Sequence, residues 1–77
     1  MEGGIMTIEL NKEEKVVIVN QHLKDLAYSA YNLELSLIEV NASSNPNQDN
    51  IDSLNSQMQD INNRKLALQS ELDLLNQ

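Results

Sequence analysis

Val40-Asn41-Ala42-Ser43-Ser44-Asn45-Pro46-Asn47-Gln48-Asp49-Asn50-Ile51 is the one clear interruption in a chain that otherwise reads as helix from residue 11 onward. Ser and Asn hydrogen-bond to nearby backbone, so they prefer caps and turns to helix interiors. Pro46 disfavours helical backbone at Asn45 and suits the first turn of a new helix. Asn45 with Gln48, or Asn47 with Asn50, has the spacing to cap that second helix. The two apolar residues at the ends of the stretch, Val40 and Ile51, start the pattern that decides how the chain folds.

Counting back from Val40 gives Leu37, Leu33, Ala30, Leu26, Leu23, Val19 and Val16, at alternating intervals of 3 and 4. Counting forward from Ile51 gives Leu54, Met58, Ile61, Lys65, Leu68, Leu72 and Leu75 at the same intervals. Alternation of 3 and 4 over four heptads is the signature of an a/d seam between helices. Only Lys65 breaks the apolar row. The two rows are mirror images about the turn, because paired positions sum to 91. Val40 meets Ile51, Leu37 meets Leu54, Leu33 meets Met58 and Ala30 meets Ile61. Leu26 meets Lys65, Leu23 meets Leu68, Val19 meets Leu72 and Val16 meets Leu75. Every a-type position faces a d-type position, as an antiparallel pair requires. The turn residues fix the folding point independently of this pairing, so the agreement predicts an antiparallel hairpin. Ala30 is small and leaves room opposite Ile61. Lys65 can lay its stem along the seam and send its ammonium to water.

The same logic places the remaining boundaries. Asn11 with Glu14 has capping-box spacing, and Glu13 and Glu14 stand where the helix dipole favours negative charge. Neither Gly nor Pro occurs between 11 and 42 or between 47 and 75. The β-branched run Val16-Val17-Ile18-Val19 is outweighed by the longer helical period. The expected organisation is a flexible leader over 1–10 and a hairpin over 11–77. Within the hairpin, helices cover about 12–42 and about 47–75, with the turn at about 43–46. Thr7-Ile8-Glu9-Leu10 alternates briefly and is expected to be extended, too short to make a sheet. Met6 is a candidate natural start, with the first five residues as an extension.

A second row, Tyr28, Tyr31, Leu35, Ile38 and Ala42, repeats the 3,4 spacing on the first helix. It lies roughly 150° round the helix from the seam, at about 100° per residue. Val17 continues it toward the N-terminus, with Gln21 and Lys24 between. The second helix has only Leu66, Ala67 and Leu74 beyond its seam. A hairpin covers one of the two rows on the first helix and leaves the other to water, and contiguous exposed apolar surface marks association. Exchanging the roles of the two rows would not alter that. The fold class is therefore all-α: a coiled-coil-like, antiparallel two-helix hairpin, expected to assemble into a four-helix or larger bundle. Tyr28, Tyr31, Leu35, Ile38 and Ala42 are the candidate interface.

Composition narrows the function. The formal charge is −7, from 12 acidic and 5 basic residues, which argues against a phosphate backbone or an anionic membrane surface as partner. The acids are spread along the chain and read as a solubility feature. There is no cysteine, which excludes disulfides and thiolate metal sites. No apolar run approaches the roughly 20 residues of a membrane span. The N-terminus lacks the basic and apolar regions of a secretory signal. These features lead us to expect a cytoplasmic protein. His22 has no partner at metal-ligand spacing on its helix face. Glu34 and Glu39 diverge, and Ser29 and Ser36 lack an activating base. Both glycines stand in the leader, so no phosphate loop is present, and the segment at Asp49 lacks the glycine and terminal Glu of a calcium loop. Arg64-Lys65 is a single basic pair, not a nucleic-acid footprint. No enzyme activity, cofactor or metal is expected.

Met6-Thr7-Ile8-Glu9-Leu10-Asn11-Lys12-Glu13-Glu14-Lys15, Tyr31-Asn32-Leu33-Glu34 and Asn45-Pro46-Asn47 together resemble small uncharacterised proteins of marine cyanophages. The resemblance spans most of the chain from Met6 onward. It implies a viral origin and the same hairpin, with the virion or host cytoplasm as setting, and it carries over no activity and no site residue. The expected function is non-enzymatic: a structural or accessory protein acting through homo-oligomeric helix–helix association. The alternative is an adaptor or inhibitor that captures a helix of a host protein on the Tyr28–Ala42 row.

Overall fold

The computed structural model describes residues 9–77. Two helices, α1 (Lys12–Ala42) and α2 (Gln48–Leu75), pack against each other as a hairpin, and the described residues contain no strand. Most of the expected leader, including the first half of the brief alternation at 7–10, falls outside the described residues. Glu9 and Leu10 are exposed and not helical.

Local chemistry sets each boundary. At the start of α1 the Asn11 side chain accepts a hydrogen bond from the Glu14 backbone N–H at 2.8 Å. The Glu14 carboxylate in turn accepts one from the Asn11 N–H at 3.0 Å. This reciprocal box satisfies two of the backbone donors that every helix start leaves open. Asn11→Ala is expected to cost about 1 kcal/mol and to lower the thermal midpoint by several degrees in a domain this small, as followed by circular dichroism. At the other end of α1 the Ser43 N–H donates to the Val40 carbonyl at 3.2 Å, and the Asn41 amide donates to the Leu37 carbonyl at 2.9 Å. The first bond occupies one of the carbonyls that the last turn leaves free, and the second is a side-chain bond back onto the preceding turn.

The turn decides between the two candidate caps and corrects the place of Pro46. Of the two candidate caps, Asn47 is the one used: its side chain accepts from the Asn50 N–H at 3.1 Å. The helix therefore begins at Gln48, and Pro46 stands before the cap instead of inside the first turn. Proline's fixed φ suits the extended approach to a cap as well as it suits a first turn. Ser43 and Asn47 both have extended backbone, with φ of −71° and −91°. No described non-glycine residue has positive φ, so the reversal needs no glycine.

Burial follows the seam. All sixteen seam positions except Lys65 are half-buried or buried, and Ser36 is the only described residue outside the seam that is not exposed. Val19, at 9% exposure, is the one buried side chain among the described residues. The molecule measures 64 × 25 × 15 Å, two helices wide and little more than one helix thick. Every side-chain hydrogen bond among the described residues is made within one helix or its cap. The same holds for the Asp60–Arg64 ion pair at 3.0 Å. The helices are thus held together, among these residues, by apolar layers with no polar link across them.

Candidate protein interface

The register positions the surface. One groove of about 410 Å³ is walled by Leu23, Leu26 and Ala30 from α1 and by Met58, Ile61 and Lys65 from α2. Ala30 and Leu26 share this groove with Ile61 and Lys65, so open space lies beside the small Ala30. Lys65 is exposed, as a lysine with its ammonium in water should be. Lys65→Leu would place an apolar residue against Leu26. A gain of about 1 kcal/mol is expected, read as a higher thermal midpoint.

With α2 on the seam, the second row of α1 is left uncovered. Tyr28 is 62% exposed, Tyr31 60%, Ile38 58% and Leu35 39%, and Ala42 is exposed as well. Val17 extends the open row at 67%. The two rows do not exchange roles: the seam residues face α2 and the tyrosine row faces water. Tyr31 also forms part of the Ala30 groove wall, together with Ala27 and Glu34. The exposed face and the thinnest layer of the seam are therefore continuous, which the row spacing alone did not reveal.

The border of this face is acidic. Glu34 follows the row on one side, and Asp25 and Glu39 on the other, at the positions flanking a 3,4 row. Lys24 sits within the row's N-terminal extension. The Gln21 amide donates to the Asp25 carboxylate at 3.1 Å. The opposite side of the hairpin is polar: Ser29, Asn32, Ser36, Gln57, Asp60 and Arg64 contribute to a shallow groove of about 420 Å³. Ser29 and Ser36 lie beside the charged Asp60–Arg64 pair. His22 stands with Asp25 and Arg64 on the edge of a third groove, beside Leu26, Ala67 and Leu68. The half-burial of Ser36 was legible in principle, since it flanks the seam between Leu33 and Leu37.

Among the described residues no group of three or more His, Cys, Asp or Glu side chains is arranged to hold a metal ion. Among them, too, no helix is long and apolar enough to cross a membrane. No family model, curated protein or solved structure matches the chain.

Proposed function

We propose that the protein is a non-enzymatic structural or accessory part that works by helix–helix association, with a second copy of itself on the Tyr28–Ala42 face of α1. The observation that carries this reading is the contrast between its two apolar rows. The row facing α2 yields a single buried side chain, Val19, while a second row of equal periodicity stays open. A two-helix core of this size supplies at most a few kcal/mol of stability, so covering the second row is the nearest source of more. The matching 3,4 spacing calls for a helix as the occupant, and a second copy offers one at equal concentration. The cyanophage resemblance adds a virion or an infected cell's cytoplasm as the setting for such a part.

Coupling between assembly and folding gives the test. If copies cover each other's open row, the thermal midpoint rises with protein concentration, because association favours the folded state by mass action. A midpoint unchanged over a hundredfold range of concentration would refute self-association. A second reading, an adaptor for another protein's helix, draws on Tyr28 and Tyr31, since aromatic anchors of this kind dominate heterologous interfaces.

A further inference from the structure

The proposed self-association leaves the register open, and the charges bordering the face select one; a choice of register rests on that proposal. If two α1 helices pack in parallel and in register, Leu35 meets Leu35 of the second copy. The flanking positions then set Glu34 against Glu39 of the second copy, twice. If they pack antiparallel about Leu33, Tyr31 meets Leu35 of the second copy. Glu34 then faces its own counterpart and Asp25 faces Glu39 of the second copy. Both arrangements place carboxylate against carboxylate in a chain of net charge −7, and like charges across an interface oppose it.

A shift of one heptad toward the N-terminus removes every such clash. Setting the twofold axis between Tyr28 and Tyr31 pairs positions that sum to 59. Tyr28 then meets Tyr31 of the second copy, Val17 meets Ala42, Gln21 meets Ile38, and Lys24 meets Leu35. At the edges Glu34 faces Ala27 and Asp25 faces Asn32. Lys24 comes within one helical turn of Glu34 of the second copy, on the same edge, at about 1.5 Å rise per residue. The overlap runs from 17 to 42, most of the length of α1, and uses the exposed Val17 that the other antiparallel register leaves overhanging. The opposite shift also avoids the clashes, but its overlap within α1 runs only from 31 to 42 and leaves Lys24 outside. The contact is isologous, so each pairing occurs twice.

We infer that two copies join through an antiparallel α1–α1 contact whose twofold lies between Tyr28 and Tyr31, with Lys24 opposite Leu35 and within one helical turn of Glu34 of the second copy. Because the open row stands roughly 150° from the seam, the four helices form a slightly bent row, α2–α1–α1–α2, in place of a square bundle.

The chain contains no cysteine, so single cysteines report the register directly. Val17→Cys and Ala42→Cys, both at exposed positions, are mixed and oxidised, one carrying a size tag. The expected product is a mixed disulfide dimer several-fold more abundant than either self-dimer. Preferential linking of Leu35→Cys to itself would overturn the proposal in favour of the parallel pair. Preferential linking of Tyr31→Cys to Leu35→Cys would overturn it in favour of the other antiparallel register. In both cases self-association would stand. A monomer at every concentration, with no cross-link in any mixture, would remove self-association and the register together. The charge pair is checked by reversal: Lys24→Glu should weaken self-association roughly tenfold, and adding Glu34→Lys in the same chain should restore it. These positions lie ten residues apart on one helix and cannot meet within a copy, so failure of the rescue would also overturn the assignment.

Discussion

Leu33→Asp is expected to abolish the cooperative unfolding transition and most of the helical signal at 222 nm. Leu33 sits in the C-terminal third of α1, half-buried on the seam, and lines a groove together with Ile61. The change removes an apolar side chain worth about 1.5–3 kcal/mol when fully buried, and less here. It also sets a carboxylate among Leu and Ile layers, where an unpaired charge costs several kcal/mol more. Arg64 shares the groove, but Asp60 already engages its guanidinium. The total, on the order of 3 kcal/mol or more, matches the whole stability that so small a core provides. Isolated helices of this length are marginal without a packed face, so the far-ultraviolet signal falls with the tertiary contacts. Survival of a sharp transition would mean that the helices do not depend on the seam.

Leu35→Glu with Ile38→Glu is the second large effect, and it acts on association while leaving the seam intact. Both residues lie on the face away from α2, and glutamate is a good helix former. The isolated hairpin should therefore tolerate the pair. Across a shared interface the same change removes two apolar side chains per copy, each worth about 1.5–3 kcal/mol when buried. It also adds four carboxylates within the row; in the inferred register those at 35 face Lys24 and those at 38 face Gln21 of the second copy, so the loss comes from the apolar surface removed. A loss of more than a hundredfold in the association constant is expected, measured by sedimentation equilibrium. Leu66→Glu, at an exposed apolar position on α2, serves as the control and should leave association unchanged.

The seam was legible because its information is redundant. Sixteen positions, a turn and a cap all specify the same pairing, and each could be read from spacing alone. The capping box at Asn11 and Glu14 was legible for the same reason: two residue types at one fixed interval. The start of the second helix was less so, since Asn45 and Asn47 are chemically equivalent caps and only the path of the chain through Pro46 distinguishes them. Which apolar row faces α2 also required the structure, because both rows on α1 have the same period. The continuity of Tyr31 with the Ala30 groove depends on side-chain volume at one layer, which periodicity does not encode. For the interface residues themselves, the sequence supplies the row and the structure supplies its exposure. On the occupant of the row the sequence offers only Lys24, within the row, and the bordering Asp25, Glu34 and Glu39.

The claim that the Tyr28–Ala42 face joins copies of this chain is tested most directly by molar mass. Light scattering coupled to size-exclusion chromatography, over a wide range of loading concentration, reads it without labels or variants. The expected result is a discrete oligomer, a dimer or a small multiple of it, that dissociates toward a single chain mass on dilution. A single chain mass of 8.7 kDa at every concentration would contradict the claim and leave the face to a helix of another protein.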